Sequence, residues 1–239
     1  MSPVATKGEL DPHKSVQISV FGRKGEGKTE LAWMLFDSYP FDRILIDPNG
    51  DIKVPDDVVD LDPDDLPDRW PGSLLEKKKS RTLRFIPNFA KPDVKIGNKS
   101  VPGAVYDIDH LVGLAYTHGK TMVFIDEAHE AAPAGATPPH IRRALRQGRH
   151  RDLSIIFATP RSLTIDPLVI SNADYVYCFK VASPADRKRI ADNIGWSPKD
   201  FDDAVFALDT HEYLRYELKT DDLAHFDPLP EDLLSHHKR

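Results

Sequence analysis

The chain has 239 residues, of which 40% are hydrophobic and 29% charged, and its formal net charge is −6. This length suits one compact domain whose core needs no disulfide or structural metal. The lone Cys178 excludes a disulfide framework and is typical of a reducing, cytoplasmic compartment. No apolar run approaches the ~20 residues that span a bilayer, and the N-terminus lacks the apolar core of a signal peptide. We therefore expect no integral membrane segment.

The predicted elements of the first half alternate between strands and helices. Residues 1–14 show no periodicity and predict a flexible tail. Apolar residues at every second position predict a strand from Val16, and apolar residues at helical spacing predict a helix after the glycine-rich turn. The predicted order is a strand over 16–20, a helix over 29–38, a strand over 43–47, turns with one short strand over 51–72, a strand over 83–86, an irregular excursion over 88–103 and a helix over 105–118.

The second half continues this alternation. It predicts a strand over 121–126, a helix over 140–149, strands over 153–159 and 174–181, a helix over 184–194 and a last strand over 213–218. We place the core at residues 15–220 and a charged C-terminal tail at 221–239. Strands that alternate with helices indicate an α/β fold with a doubly wound, mostly parallel central sheet flanked by helices.

The first motif lies between the first predicted strand and the first predicted helix. Gly22-Arg23-Lys24-Gly25-Glu26-Gly27-Lys28-Thr29 matches the phosphate-loop pattern G-x-x-x-x-G-K-[ST]. The glycines let the backbone wrap a phosphate, and the helix start presents unpaired N–H groups. Lys28 adds a point charge, and Thr29 offers a hydroxyl to Mg²⁺. The sequence thus predicts a nucleoside triphosphate site made by Gly22, Lys24, Gly25, Glu26, Gly27, Lys28, Thr29 and Glu30.

The second motif is an acid pair at the end of an apolar strand. Asp126 and Glu127 directly follow the run Thr121–Ile125. Ligands bind at the carboxyl ends of the strands in open α/β sheets. We expect Asp126 to hold Mg²⁺, directly or through water, and Glu127 to accept a proton from an attacking water. The pair favours hydrolysis of ATP, with ATP and Mg²⁺ bound together.

Four further segments resemble the FtsK/HerA superfamily of DNA-pumping ATPases. They are ILIDPNGD at 44–51, RQGRHRDLSIIFAT at 146–159, IDP at 165–167 and NADYV at 172–176, and the resemblance covers roughly residues 16–217. It implies a P-loop NTPase fold of the RecA-like type. It also implies a ring, usually a hexamer, through which DNA passes.

The resemblance also implies roles for residues near the fourth core strand. Arg149 matches the arginine that reaches the γ-phosphate of a neighbouring subunit, where a guanidinium stabilises the transferring phosphoryl group. Lys24 is a rival source of positive charge in cis. Thr159 matches the residue that senses the γ-phosphate. The family usually continues with Gln, whereas this chain has Thr159-Pro160-Arg161, so either Thr159 acts alone or Arg161 contributes.

The size of the chain narrows the resemblance to one subgroup of the superfamily. The segments outside the core are too short for the membrane helices, β-barrels or winged-helix modules of FtsK and HerA proper. The chain therefore resembles the genome-packaging ATPases of tailless, internal-membrane viruses and phages, which implies capsid or vertex partners and a place in the host cytoplasm or at a packaging vertex. The alternatives are a DNA export ATPase of the filamentous-phage-assembly or conjugation type, and a nucleotide-dependent assembly switch with little DNA-stimulated turnover.

The charge is unevenly distributed along the chain. Residues 47–69 hold nine Asp against one Lys and one Arg, whereas residues 76–99 carry a net +6 and residues 142–161 a net +5. A motor that moves over any sequence needs backbone contacts rather than base contacts. Our candidates for DNA contact are Lys77, Lys78, Lys79, Lys91, Lys95 and Lys99, with a merely solvated basic loop as the alternative.

Two further features of the sequence, a run of arginines and a histidine near the acid pair, are predicted to have structural roles. We assign Arg142–Arg151 mainly to a subunit interface, where the acidic segment 56–68 offers partners. We interpret His129 as an ordinary residue at the start of a helix rather than as a sensor of the active site.

Overall fold

The computed structural model describes residues 14–96 and 99–230, with the side chains of residues 96 and 99 also excluded. Within these residues the chain folds around one nine-stranded sheet and a separate two-stranded hairpin. The strands are β1 Gln17–Phe21, β2 Asp42–Ile46, β3 Val59–Leu61, β4 Thr82–Phe85, β5 Val94–Ile96, β6 Lys99–Val101, β7 Thr121–Ile125, β8 Leu153–Thr159, β9 Tyr175–Cys178, β10 Tyr213–Glu217 and β11 Asp222–Phe226. The helices are α1 Lys28–Asp37, α2 Gly72–Lys78, α3 Gly103–His118, α4 Pro139–Gln147, α5 Pro167–Ser171, α6 Pro184–Ile194 and α7 Pro198–Ala207.

The strand order places the phosphate-loop strand inside the sheet. The order is β11-β10-β9-β1-β8-β7-β2-β4-β3, and all pairs from β9 to β3 are parallel. Strands β10 and β11 extend the sheet in antiparallel fashion beyond β9. The predicted α/β fold with a mostly parallel, doubly wound sheet is confirmed.

The two faces of the sheet bury separate apolar cores. One core packs alternate strand residues such as Ile46, Ile125 and Phe157 against helices α3–α7. The other packs the intervening residues, such as Leu45 and Phe124, against α1 and the residues around it. Because both faces are covered, the central strands read as continuous apolar runs instead of alternating ones.

The chain departs from the sequence prediction in two places near the sheet. The excursion over 88–103 contains the antiparallel hairpin β5–β6, with Val94 paired to Val101. The segment after residue 220, predicted as a tail, contributes strand β11 to the sheet. The reason is tertiary packing, because Phe226 stacks on Tyr213 with ring centroids 5.2 Å apart. Residues 231–239 and 1–13, the remainder of the predicted tails, lie outside the described residues.

Three helices were not predicted, namely α2, α5 and α7. Helix α5 is only five residues long, too short to show a periodic apolar pattern. None of the helices in the described residues combines the length and the apolar character needed to cross a membrane.

Candidate nucleotide-binding site

The phosphate loop connects β1 to α1 at the carboxyl edge of the sheet. Helix α1 begins at Lys28, and its N-cap Gly27 has φ 101°. No side chain of the described residues caps this helix start, so its first N–H groups and the positive end of its dipole are available to an anion. The loop also lies close to β9, because a Cβ at Gly22 would lie 2.7 Å from the Cβ of Phe179. Residue 22 must therefore be glycine in this packing.

Glu26 fastens the phosphate loop to the C-terminal part of the chain. Its buried carboxylate forms an ion pair with Arg23 and accepts a hydrogen bond from the backbone N–H of His211 at 3.3 Å. The N–H of Arg23 in turn donates to the carbonyl of Lys180 at 2.9 Å. The Glu26 side chain thus holds the loop in place, whereas sequence reasoning grouped it with the nucleotide contacts.

A cleft of about 230 Å³ lies in front of the loop. It joins the loop to the ends of β2 and β7 and to the segment before β10. Its lining residues are Lys24, Gly25, Gly27, Lys28, Thr29, Glu30, Asn49, Asp51, Ile52, Asp126, Glu127 and His211. Most of the residues predicted from the two motifs therefore meet in one cleft.

The start of α1 faces the acid pair at the end of β7. Lys28 Nζ lies 3.6 Å from Glu127 Oε1, and Thr29 Oγ1 lies 3.4 Å from Asp126 Oδ1. Glu127 has φ 46° and so leaves the strand direction, with the result that the two neighbouring acids occupy different environments. Asp126 is buried, whereas the Glu127 side chain is 23% exposed at the cleft.

The end of β8 supplies Thr159 between the two motifs. Strand β8 pairs with β1 on one side and with β7 on the other. Buried Thr159 therefore lies between the phosphate loop and the acid pair, and its hydroxyl accepts a hydrogen bond from the N–H of Arg161 at 3.3 Å. This position suits a group that contacts a terminal phosphate or its attacking water.

His129 contacts both Glu127 and Thr159. Its Nδ1 lies 3.5 Å from Glu127 Oε2 and 3.4 Å from Thr159 Oγ1, and its Nε2 lies 3.4 Å from Glu130 Oε1. The sequence interpretation of a helix-start histidine is wrong, because residues 126–132 form turns and no helix. The sequence signal for this role was the position of His129, two residues after an acid pair that directly follows a strand ending at the site.

Two carboxylates, Asp47 and Asp126, are buried beside the cleft, and burial disfavours their charged forms. Asp47 accepts hydrogen bonds from the N–H groups of Gly50 at 3.0 Å and Ile52 at 3.2 Å, which shapes the turn that carries Asn49 into the cleft. Burial raises the pKa of Asp47. Burial also raises the pKa of Asp126 to about 7, opposed by Lys28 and reinforced by Glu127 and Asp47. The site therefore favours additional positive charge beside Asp126.

The donors around Asp126 fit Mg²⁺ held together with a phosphate ligand. Thr29 and Asp126 offer one hydroxyl and one carboxylate at adjacent positions. Among the described residues no group of three or more His, Cys, Asp or Glu side chains has the arrangement of a metal site. Mg²⁺ commonly takes one or two protein oxygens and completes its shell with phosphate oxygens and water, so this donor set fits it.

Arg149 lies at the opposite edge of the sheet from this cleft. It precedes β8, whose seven residues separate it from Thr159 by about 20 Å. Its guanidinium forms an ion pair with Asp174 at 3.0 Å and donates to the carbonyl of Asn172 at 2.8 Å. Arg149 therefore does not join the nucleotide cleft of its own chain.

The six lysines proposed for DNA contact are divided between two edges. Lys77, Lys78 and Lys79 are exposed at the end of α2, before the start of β4 and hence opposite the nucleotide cleft. Lys95 is exposed on the hairpin that follows β4, and Lys99 lies on its second strand, with its side chain outside the described residues. Lys91 forms an ion pair with Asp107 at 2.7 Å, which makes it a structural contact.

The fold is similar to those of several solved P-loop proteins. The genome packaging NTPase B204 from Sulfolobus turreted icosahedral virus 2, in complex with AMPPCP, superposes with a TM-score of 0.68 at 18% identity over 92% of this chain and 100% of that one. B204, the DNA-packaging ATPase from Sulfolobus Turreted Icosahedral Virus, gives 0.63 at 18% over 91% and 100%. The pCW3 conjugation coupling protein TcpA with ATPγS gives 0.54 at 13% over 96% and 67%. No protein-family model and no curated protein sequence matches the chain. The resemblance to viral packaging ATPases is thus confirmed at the level of the fold.

Proposed function

We propose that the chain is an ATP-hydrolysing DNA translocase of the viral genome-packaging type. The observation that carries this proposal is the convergence of Lys28, Thr29, Asp126, Glu127 and Thr159 at one edge of the sheet. A phosphate loop alone would support nucleotide binding only. A partly exposed acid that can accept a proton from water, next to the phosphate-loop lysine, supports hydrolysis. The similarity to two packaging ATPases supports the coupling of hydrolysis to DNA movement.

The reaction needs the phosphates to be held and an attacking water to be deprotonated. In our proposal the loop N–H groups and Lys28 bind the β- and γ-phosphates. Glu127 accepts the proton from the water, and the Thr159 hydroxyl orients the water or the γ-phosphate. Thr29 and Asp126 would hold Mg²⁺, which supplies charge neutralisation on the phosphate oxygens.

A second subunit would complete the site. Because Arg149 lies about 20 Å from Thr159 of its own chain, it can serve catalysis only at the nucleotide of a neighbour. Asp174 and the carbonyl of Asn172 fix its guanidinium, which reduces the entropy lost when it binds a phosphate. We therefore propose a ring, hexameric as in the resembling superfamily, with capsid or vertex proteins as further partners.

The deciding experiment compares ATP hydrolysis with and without nucleic acid. We expect double-stranded DNA of mixed sequence to stimulate phosphate release by the full chain, with ring-sized particles visible in the presence of an ATP analogue. Unstimulated turnover at every DNA concentration would contradict translocation and would favour an assembly switch.

A DNA export ATPase of the conjugation type is the second candidate, and the similarity to the coupling protein TcpA supports it. Stimulation by single-stranded DNA alone would favour export, whereas stimulation by duplex DNA would favour packaging.

A further inference from the structure

A cleft lined by arginines lies away from the nucleotide site. It has a volume of about 640 Å³ and lies between α4 and the hairpin β5–β6. Its lining residues are Val101, Thr137, Pro139, Arg142, Arg143, Arg146 and Gln147. Three of these seven are arginines on one helix, so the cleft is built around positive charge.

The arginines of α4 lack acidic partners in the part of the chain that the structure describes. Helix α4 contains no Asp or Glu, and none of its three arginines forms an ion pair with a described residue. Arg143 instead lies over the ring of Tyr116, with its guanidinium carbon 4.7 Å from the ring centroid. Arg151 lies over the same ring at 5.7 Å and extends the positive surface beyond the helix. These guanidinium groups retain their capacity to bind an external anion.

The core holds this row of arginines at fixed positions. Ile141, Ala144 and Leu145 are buried and pack α4 onto the protein. Asp109 fastens the start of the helix, because its carboxylate accepts hydrogen bonds from the N–H of Ile141 at 2.8 Å and pairs with His140 at 2.8 Å. The helix therefore presents its arginines without needing to fold on binding.

The arginine and glutamine side chains of the cleft offer hydrogen-bond donors. Each guanidinium carries five N–H donors and no acceptor. The Gln147 carbonyl accepts a hydrogen bond from the hydroxyl of Tyr116 at 3.2 Å, so its NH₂ group remains available to the cleft. Arg142 and Arg146 are one helical turn apart, which separates them by about 6 Å along the axis. A row of donors at this spacing suits a chain of phosphates, which arginine binds in bidentate fashion without reading bases.

We propose that the cleft between α4 and the hairpin β5–β6 binds the phosphate backbone of nucleic acid through Arg142, Arg143 and Arg146. The assignment rests on the proposed function of a DNA translocase and adds the surface on which DNA is held. It differs from the sequence-based expectation, which placed these arginines in a subunit interface and DNA on the lysine runs. Lys91 is engaged by Asp107, and Lys77–Lys79 lie on a different part of the surface.

The test removes three charges from either surface of the full-length protein. The variant Arg142→Gln/Arg143→Gln/Arg146→Gln is compared with the control Lys77→Gln/Lys78→Gln/Lys79→Gln, which changes the net charge equally. Binding of a fluorescent duplex of mixed sequence is measured by anisotropy over a salt series. We expect the arginine variant to lose at least ~10-fold in affinity and its salt slope to fall by about 2–3, since each phosphate contact contributes about 0.9 to the slope. The control should change affinity much less.

Two further measurements keep the result interpretable. ATP hydrolysis without DNA should be unchanged in the arginine variant, because α4 does not line the nucleotide cleft. The more conservative variant Arg142→Lys/Arg143→Lys/Arg146→Lys keeps the charge but loses the bidentate geometry, and we expect intermediate affinity. If the glutamine variant shows an altered unfolding curve, the lysine variant replaces it in the DNA-binding measurement.

The proposal is overturned if the arginine variants bind DNA with wild-type affinity and salt slope while the wild type binds DNA. It is equally overturned if they bind DNA normally but fail to self-associate in sedimentation experiments, because the surface would then be a subunit contact. If the wild type itself binds no DNA with any nucleotide, the proposed function fails, and this assignment fails with it.

Discussion

Lys28 Nζ and Glu127 Oε1 lie 3.6 Å apart, so the cation of the phosphate loop directly faces the acid that follows β7. These residues are 99 positions apart in the chain and meet because both lie at the carboxyl edge of one parallel sheet. A γ-phosphate bound by Lys28 would therefore lie beside the Glu127 carboxylate. In the proposed reaction Glu127 would accept a proton from the water that attacks this phosphate.

The first prediction concerns Glu127 itself. The substitution Glu127→Gln should lower kcat for ATP about 10²–10⁴-fold, because general bases contribute by this factor. ATP affinity should stay within a few-fold, since Lys28 and the loop N–H groups remain. Steady-state phosphate release and binding of a fluorescent ATP analogue measure the two quantities. The control Glu76→Gln changes an exposed acid of α2, away from the cleft, and near-normal turnover of the Glu127 variant would remove Glu127 from this role.

The second prediction concerns His129 as a positioning residue. Because it contacts both Glu127 and Thr159, His129→Ala should lower kcat about 10-fold or more through misplacement of the reacting groups while KM changes little. His129→Gln retains an amide that can donate to either neighbour and should recover part of the loss. His150→Ala, on an exposed residue before β8, is the control. An unchanged kcat in His129→Ala would show that the contacts are incidental.

The third prediction uses the raised pKa of Asp126. Burial raises this pKa from 3.8 to about 7, so the folded state holds a proton that the unfolded state has already lost. The contribution of Asp126 to the free energy of unfolding is thus complete below pH 3.8 and is lost as pH rises through 7. Asp126→Asn should remove this loss and stabilise the nucleotide-free protein at pH 8 by up to about 4 kcal/mol, since a shift of about three pKa units corresponds to about 1.4 kcal/mol per unit.

Denaturant unfolding at a series of pH values between 4 and 8 measures this effect. The stability difference between Asp126→Asn and the wild type should grow with pH and level off above pH 7, whereas the exposed control Asp56→Asn should show no such trend. The same variant should not hydrolyse ATP. A stability difference that is constant with pH would contradict the shifted pKa.

The fourth prediction tests whether Arg149 acts between subunits. Arg149→Ala and Glu127→Gln should each be inactive alone, but mixtures should regain part of the activity, because some interfaces then combine an intact Arg149 with an intact Glu127. The double variant Glu127→Gln/Arg149→Ala provides the control, since it contributes no intact group to any interface. If no mixing ratio restores hydrolysis above that of the control mixtures, the proposed role of Arg149 in trans fails.

Local features were predictable because they depend on a few neighbouring residues. Helix α6 was predicted with its observed bounds, since Ser183 caps its start, Pro184 opens its first turn and Gly195 ends it in the left-handed conformation. The phosphate loop was predictable for a similar reason, because glycines and a lysine at fixed spacing specify a backbone shape within eight residues. The apolar runs of β7 and β8 likewise indicated buried strands.

Other features depended on partners that are distant in the sequence. Strand β11 is five residues long and lacks a regular apolar alternation, and it forms because Phe226 packs on Tyr213. His129 could not be distinguished from an ordinary histidine until β8 brought Thr159 beside it. The distribution of the basic residues over the two edges of the sheet could not be predicted either, because a run of charges in the sequence does not indicate the edge at which it will lie.

The sequence by itself therefore determined the chemistry available to this protein, namely a phosphate loop, an acid pair and an α/β alternation of elements. The tertiary structure alone decided the arrangement. In the folded chain β8 lies between β1 and β7, and Arg149 lies at the edge of the sheet opposite the nucleotide cleft. Lys91 forms an ion pair, and the arginines of α4 line a cleft. The physical reason is that motifs and periodicity are encoded over a few residues, whereas strand order and surface position follow from burying apolar faces that come from the whole chain.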